Sequence, residues 1–280
     1  MNYSMNTLYK TVGITKQAVD QYHKRQLVFD EKIGNLMIDV EQLRRDHPGC
    51  GVEKMYDTLG PNFIGRDRFI DLFMSLGYRL KRVNNYRRTT YAGSVYYPNL
   101  IQGAYLQGAS EVWQSDITYI RVKEKFYYAV FIIDVYTKEI VGYSITDHMR
   151  ASANLSALKM ALKKHKAPKT HHSDRGSQYI SHEYIKLLKD IGTSISMGLI
   201  AQENAYAERI NGTIKNEFIT YWAPQNYEQL KRCVKKAVDY YNNKRPHNNI
   251  KKNNPRKYSL LINSLNPQQR EIMTIFNYNN

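Results

Sequence analysis

The sequence predicts an α/β fold: a mixed five-stranded sheet with helices on both faces, preceded by a small all-α region. Three observations predict it. From Trp113 to Tyr221 the hydrophobic period switches in the order strand, strand, strand, helix, strand, helix, strand, helix. Ahead of that block, residues 31–76 show only helical spacing, broken at glycine and proline turns. The third is size: 280 residues with 42% hydrophobic side chains suit a sizeable core in two domains, or one with extensions.

Taken in order, Thr15 is a candidate cap for a short helix within residues 7–25. Glu31 to His47 is a second helix, with Ile33, Leu36, Met37, Val40 and Leu43 at helical spacing and a stop at Pro48-Gly49. Val52–Leu59 and Arg66–Leu76 follow, the latter with Phe69, Ile70, Phe73 and Met74 on one side and Gly77 as its stop. From Arg79 to Tyr91 basic residues, Arg87 and Arg88 among them, alternate with tyrosines and meet no acid, a pattern suited to phosphates and bases. The alternating run Trp113–Val122 is the first strand, and Phe126–Val135 with Glu139–Ile145 forms a hairpin. Residues 150–164 are a helix bearing Leu155, Leu158, Met160 and Leu162. A short strand Lys169–Ser173, a helix His182–Asp190, a strand Thr193–Met197 and a helix from about Asn204 complete the block. On that last helix Ala207, Ile210, Ile214, Phe218 and Tyr221 form the core stripe, with Glu208, Asn211, Gly212 and Lys215 about 110° away. Beyond it, Tyr227–Tyr241 is a basic amphipathic helix with Leu230, Val234, Ala237, Val238 and Tyr241 turned inward.

Three carboxylates stand out: Asp116 within the first strand, Asp174 just after the short strand, and Glu208 on the helix. Two strand-borne aspartates and a helix-borne glutamate are the donor set of an oxygen-ligand cation, Mg²⁺ or Mn²⁺. Asp116, fixed by a central strand, is the best bridge between two ions, with Asp174 and Glu208 on either side. Asp134 and Asp147 have ordinary explanations, a turn and a helix cap. His171 and His172 read as structural, because no third nitrogen or sulfur ligand is spaced nearby.

Four stretches carry a resemblance: Trp-x-x-Asp-x-Thr-Tyr at 113–119, His-Ser-Asp-Arg-Gly-Ser-Gln-Tyr at 172–179, Glu-Asn-Ala-x-Ala-Glu-Arg-x-Asn-Gly at 203–212, and Tyr-Asn-Asn-Lys-Arg-Pro-His at 241–247. In this order they resemble the integrase-like (DDE) transposases of bacterial insertion sequences. The likeness is to the larger, OrfB-type subunit with its retroviral-integrase-like catalytic core. The resemblance implies a ribonuclease H-like core over residues 110–222, a helix-turn-helix DNA-binding region over 1–78, a basic linker over 79–109 and a basic helical extension over 223–280. It implies catalysis by Asp116, Asp174 and Glu208 on two Mg²⁺ or Mn²⁺ ions, with a nick freeing a 3′-hydroxyl that attacks a second phosphodiester. Lys215 matches a basic position of the family and is expected at a DNA phosphate. Arg66 and Arg68 would start the reading helix. Its partners would be element ends, target DNA, further copies of the chain on paired ends and a smaller upstream OrfA-type subunit.

The net charge of +16 is uneven: residues 223–262 alone hold ten basic and two acidic side chains. Lys231, Arg232, Lys235, Lys236 and Arg245 are therefore expected to grip a DNA backbone. No run approaches a membrane span and the start lacks a signal-peptide layout, so the expected location is the bacterial cytoplasm, at the nucleoid. Cys50 and Cys233 are isolated, which argues against a zinc cluster or a disulfide framework. One departure bears on activity: 33 residues separate Asp174 from Glu208 where the family usually has 35, and an apolar Gly198-Leu199-Ile200-Ala201 lies in the shortened loop. The alternative is a non-catalytic DNA-binding protein or decayed copy.

Overall fold

The computed structural model describes residues 4–80 and 97–275. The chain opens with helices α1 (Met5–Val12), α2 (Lys16–Asp46), α3 (Val52–Leu59) and α4 (Arg66–Ser75). Then come β1 (Tyr105–Leu106), β2 (Val112–Val122), β3 (Lys125–Asp134), β4 (Ile140–Thr146), α5 (Ala151–Leu162), β5 (Thr170–Ser173), α6 (His182–Asp190) and β6 (Ser194–Met197). A 3₁₀ turn at Ala201–Asn204 leads into α7 (Ala205–Ile214), a π-turn at Lys215–Ile219 and α8 (Thr220–Trp222). Last are α9 (Tyr227–Asn243), α10 (Pro255–Ser264) and β7 (Met273–Thr274), which pairs antiparallel with β1.

The five-stranded sheet has the order β4-β3-β2-β5-β6. The β2–β3 and β3–β4 pairs are antiparallel, while β2–β5 and β5–β6 are parallel. Alternation along each strand divides the core. Ile120, Val122, Ala129, Phe131 and Ile133 bury against α7, α9 and the amino-terminal helices. Trp113, Ile117, Val130 and Ile132 bury against α5 and α6. The helical region is thus not a detached unit: Leu36, Val40, Leu43, Val52, Met55, Phe69 and Phe73 share one apolar cluster with the sheet.

Several expectations are corrected. The two helices expected within residues 7–47 are mostly one, the 31-residue α2, still capped by the Thr15 side chain accepting from the Ala18 amide. Its first half buries no side chain fully, so no continuous stripe marks it in the sequence. On α5 the buried face is Ala153, Ala157, Leu158 and Ala161, and Met160 is exposed, because the helix sits directly on Gly142 of β4. A Cβ on Gly142 would lie 2.3 Å from the Ala157 carbonyl oxygen. Asp147 does not cap that helix; Arg150 is the N-cap residue and Asp147 is exposed. Tyr221 is exposed and Ile219 buried instead, since the π-turn adds a residue and shifts everything after it by about 100°.

Gly49 approaches the π-turn more closely than any other side chain would allow. Its amide donates to the Glu217 carbonyl at 2.8 Å, and a Cβ there would lie 2.4 Å from the Glu217 Cα. Replacing Gly49 with alanine is therefore expected to cost about 1–3 kcal/mol by overpacking. Urea denaturation of the variant beside the parent checks it.

Candidate active site

The sheet register brings the first two carboxylates together. Ser115 of β2 pairs in parallel with Ser173 of β5, so Asp116 and Asp174 follow at the same level on neighbouring strands. The third side chain depends on how α7 is seated, and β2 seats it. Gln114 Oε1 accepts from the Tyr206 and Ala207 amides at 3.1 and 3.3 Å, while its Nε2 donates to the Glu203 carbonyl at 3.2 Å. Asn204 Nδ2 donates to the Ser115 carbonyl at 2.9 Å. The free amides at the start of α7 are thus satisfied by a strand residue two positions from Asp116. The loop ahead of α7 closes as the 3₁₀ turn, where Glu203 Oε2 accepts from the Leu199 and Ile200 amides.

One turn along α7, Asn211 Nδ2 donates to Asp116 Oδ2 at 2.8 Å, and the Ile117 amide donates to Oδ1 at 2.9 Å. Glu208 lies three residues before Asn211, on the same helix face. Asp174 Oδ1 accepts from the Gly176 amide at 3.0 Å. Burial first, then the charges of Asp174 and Glu208, push the Asp116 carboxyl up to about 7; the bonds from Ile117 and Asn211 act the other way. Glu208 is raised by burial and by Asp174. The three carboxylates therefore feel one another, whereas Glu203 is turned to the loop amides and Glu217 to cations elsewhere. Among the described residues no three His, Cys, Asp or Glu side chains are arranged to hold a metal ion as they stand.

Lys215 joins this cluster. Its ammonium lies 5.3 Å from the centre of the Tyr119 ring; burial lowers its pKa and the Asp116 charge counters that. His171 and His172 are buried and neutral, bonded through Nε2 to the Tyr184 hydroxyl at 3.0 Å and through Nδ1 to Ser196 Oγ at 2.8 Å. Asp134 is a turn residue, accepting from the Ser110 and Thr137 amides at 2.6 and 2.8 Å.

Apart from Lys215, the expected DNA contacts among the described residues lie on α4, on α9 and just after α9. Arg66 pairs with Glu53 and Asp67 and stays partly exposed; Arg68 lies over the Phe29 ring at 4.5 Å. Lys231 pairs with Glu228 and Lys236 with Asp46, while Arg232 and Lys235 are exposed. Arg87 and Arg88 fall outside the described residues. Arg245 is a correction: it is buried, donating from Nε and Nη2 to the two Glu217 oxygens at 2.7 Å each. Sequence reasoning gave no role to Gln114, Asn204 or Asn211; the i, i+3 spacing of Glu208 and Asn211 was the available signal.

Two models of the integrase core domain match the chain, over residues 107–201 and 189–255. The transposase of insertion sequence IS629 from Shigella sonnei is 38% identical over 138 residues, 48% of this chain and 47% of that one. An uncharacterized 31 kDa protein of insertion element IS600 from the same organism is 32% identical over 231 residues, 79% of this chain and 84% of that one. The chain belongs to the integrase-like transposases of bacterial insertion sequences. The HTLV-2 integrase catalytic core domain, solved in complex with magnesium, aligns with a TM-score of 0.43 at 20% identity over 50% of this chain and 91% of that one. In this transposase the integrase core match spans the mixed sheet, with Asp116 in β2 and Asp174 just past β5. No described helix is long and apolar enough to cross a membrane.

Proposed function

We propose that this transposase nicks DNA at the ends of its element and joins each freed 3′-hydroxyl to a second phosphodiester. The observation that supports the reading is the grouping of Asp116 within β2, Asp174 at the same level just past β5, and Glu208 on α7, the helix that Gln114 of β2 seats. Its donors are all carboxylate oxygens, and the nearby imidazoles are engaged with Tyr184 and Ser196, so the residues suit Mg²⁺ or Mn²⁺ rather than zinc. Two such ions would activate the attacking oxygen and stabilise the leaving one. Asp116, Asp174 and Glu208 would hold the ions, and Asn211 orients the Asp116 carboxylate through its hydrogen bond to Oδ2. Lys215 meets the phosphate beside the scissile bond.

The DNA is the element end and its target, held by several copies of the chain on paired ends in the bacterial cytoplasm, with a smaller OrfA-type subunit as a further partner. Arg66 and Arg68 of α4 serve end recognition, and changing them lowers preference for the end over other DNA. Arg232 and Lys235, with Lys231 and Lys236, hold the backbone. Neutralising these four is expected to weaken binding to any sequence and to flatten the log–log salt slope by roughly 0.9 per lost phosphate contact. Titrations at several salt concentrations read this out, and an unchanged slope would leave α9 as packing alone.

The rival reading is a decayed copy that binds DNA without cutting it. The apolar Gly198-Leu199-Ile200-Ala201 and the 33-residue spacing between Asp174 and Glu208, shorter than the family usually has, favour it. Incubation of the protein with an end-containing duplex decides the matter. Cleavage with Mg²⁺ or Mn²⁺, and binding alone with Ca²⁺ or chelator, supports the enzyme; tight binding with no cleavage in any metal supports the rival.

A further inference from the structure

Two stretches remain outside the catalytic reading, the π-turn with Glu217 and the segment Arg245-Pro246-His247, and they meet in one buried cluster. Besides both bonds from Arg245, the Glu217 carboxylate accepts from Lys54 Nζ at 2.7 Å and from His47 Nε2 at 2.6 Å. Arg245 Nη1 is also 2.9 Å from His247 Nε2. The His47 ring stacks on Phe218, centres 4.6 Å apart and planes 10° from parallel. The main chain is held as well: the Glu217 carbonyl accepts from Gly49, and Thr220 donates its hydroxyl to the Lys215 carbonyl at 2.9 Å.

Everything in this cluster converges on Lys215–Ile219. π geometry is rare and appears mostly as single turns, so the turn needs support from outside the helix. Its first residue is Lys215, whose amine lies over Tyr119 near Asp116. If the turn relaxed to α geometry, every later side chain would rotate by about 100° relative to that lysine. Glu217 could then no longer reach its partners while Lys215 kept its place.

We infer that Glu217 is a positioning residue: clamped by His47 and Lys54 ahead of the core and by Arg245 behind it, it holds the π-turn that aims Lys215 at the Asp116 end of the sheet. The clamp ties both flanks of the chain to the active-site lysine. Its role in DNA transfer rests on the proposed reading of Lys215 as a phosphate contact.

The test uses the full chain with Arg245→Lys, which keeps the charge but loses the fork, and with Lys54→Met, which removes the more exposed partner. Lysine labelling by an amine-reactive ester, read by mass spectrometry on metal-free protein, compares Lys215 with the exposed Lys186 of α6. Labelling of Lys215 is expected to rise severalfold while Lys186 is unchanged and the melting transition stays cooperative. Strand transfer on an end duplex should fall by about tenfold or more with DNA affinity retained. Unchanged Lys215 labelling in either folded variant, or Lys186 rising in parallel, overturns the clamp. Full strand transfer by Lys215→Ala overturns only the phosphate reading of that lysine, and the labelling result stands apart from it.

Discussion

Asp116→Asn is expected to lower end cleavage and strand transfer by about a thousandfold or more, because losing a metal ligand forfeits several kcal/mol of transition-state stabilisation. DNA affinity should hold, since the basic surface is untouched. Asp174→Asn and Glu208→Gln should behave alike, and near-parent cleavage by any of the three removes that residue from the proposed site. The same Asp116 substitution has an opposite effect on stability. With burial, Asp174 and Glu208 raising its carboxyl to about 7 from an ordinary 3.8, the folded chain binds the proton more tightly than the unfolded chain. Stability of the metal-free protein is therefore lost as pH rises from about 4 to about 7. At pH 8 the asparagine variant, free of that repulsion, should be more stable by about 1–3 kcal/mol. Urea midpoints at pH 5 and pH 8 in chelator check the sign. A catalytic centre that costs stability and a variant that gains it go together here.

Much of this was legible in the sequence because it rests on short-range patterns. The alternation in Trp113–Val122, the run Phe126–Val135 and the stripe Ala207, Ile210, Ile214 each report one element's own period, and the strands and α7 formed where those periods begin and end. Periodicity placed Asp116 within one strand and Asp174 after another, and it was the motifs around them, by their resemblance to the family, that grouped the two. What escaped was long-range or irregular. Glu217 meets His47 across 170 residues and Lys54 across 163, and no local period encodes that meeting. The π-turn breaks the 100° step on which the helix reading rests, which is why Tyr221 and Ile219 exchanged places. Arg245 was grouped with its basic neighbours because composition cannot tell a buried fork from a solvated one. The close seat of α5 on Gly142 hid in alanines, which carry little hydrophobic signal.

The second large effect is expected at that ion cluster. Glu217→Gln or Arg245→Met should destabilise the chain by about 3–5 kcal/mol, the cost of leaving one buried charge without its partner. Both sit away from the Asp116 carboxylate, so the loss would come from the fold rather than from the ligand set. Burial alone would push the Glu217 carboxyl up; the Arg245 and His47 bonds and the charges of Arg245 and Lys54 outweigh it and hold the group well below the usual carboxylate range. Its contribution is thus fully present above the unfolded value of about 4.5 and is lost as pH falls below it. The parent should then lose stability on acidification from pH 5 downward, and Glu217→Gln should lose less over the same interval. Arg245→Met leaves the carboxylate with Lys54 and His47, so its acid loss should lie between the two. If the double variant Glu217→Gln/Arg245→Met costs as much as the two single changes added, the residues are not coupled and the cluster is not the unit described. A cost well short of the sum is the expected result, because the second substitution removes a charge the first has already stranded.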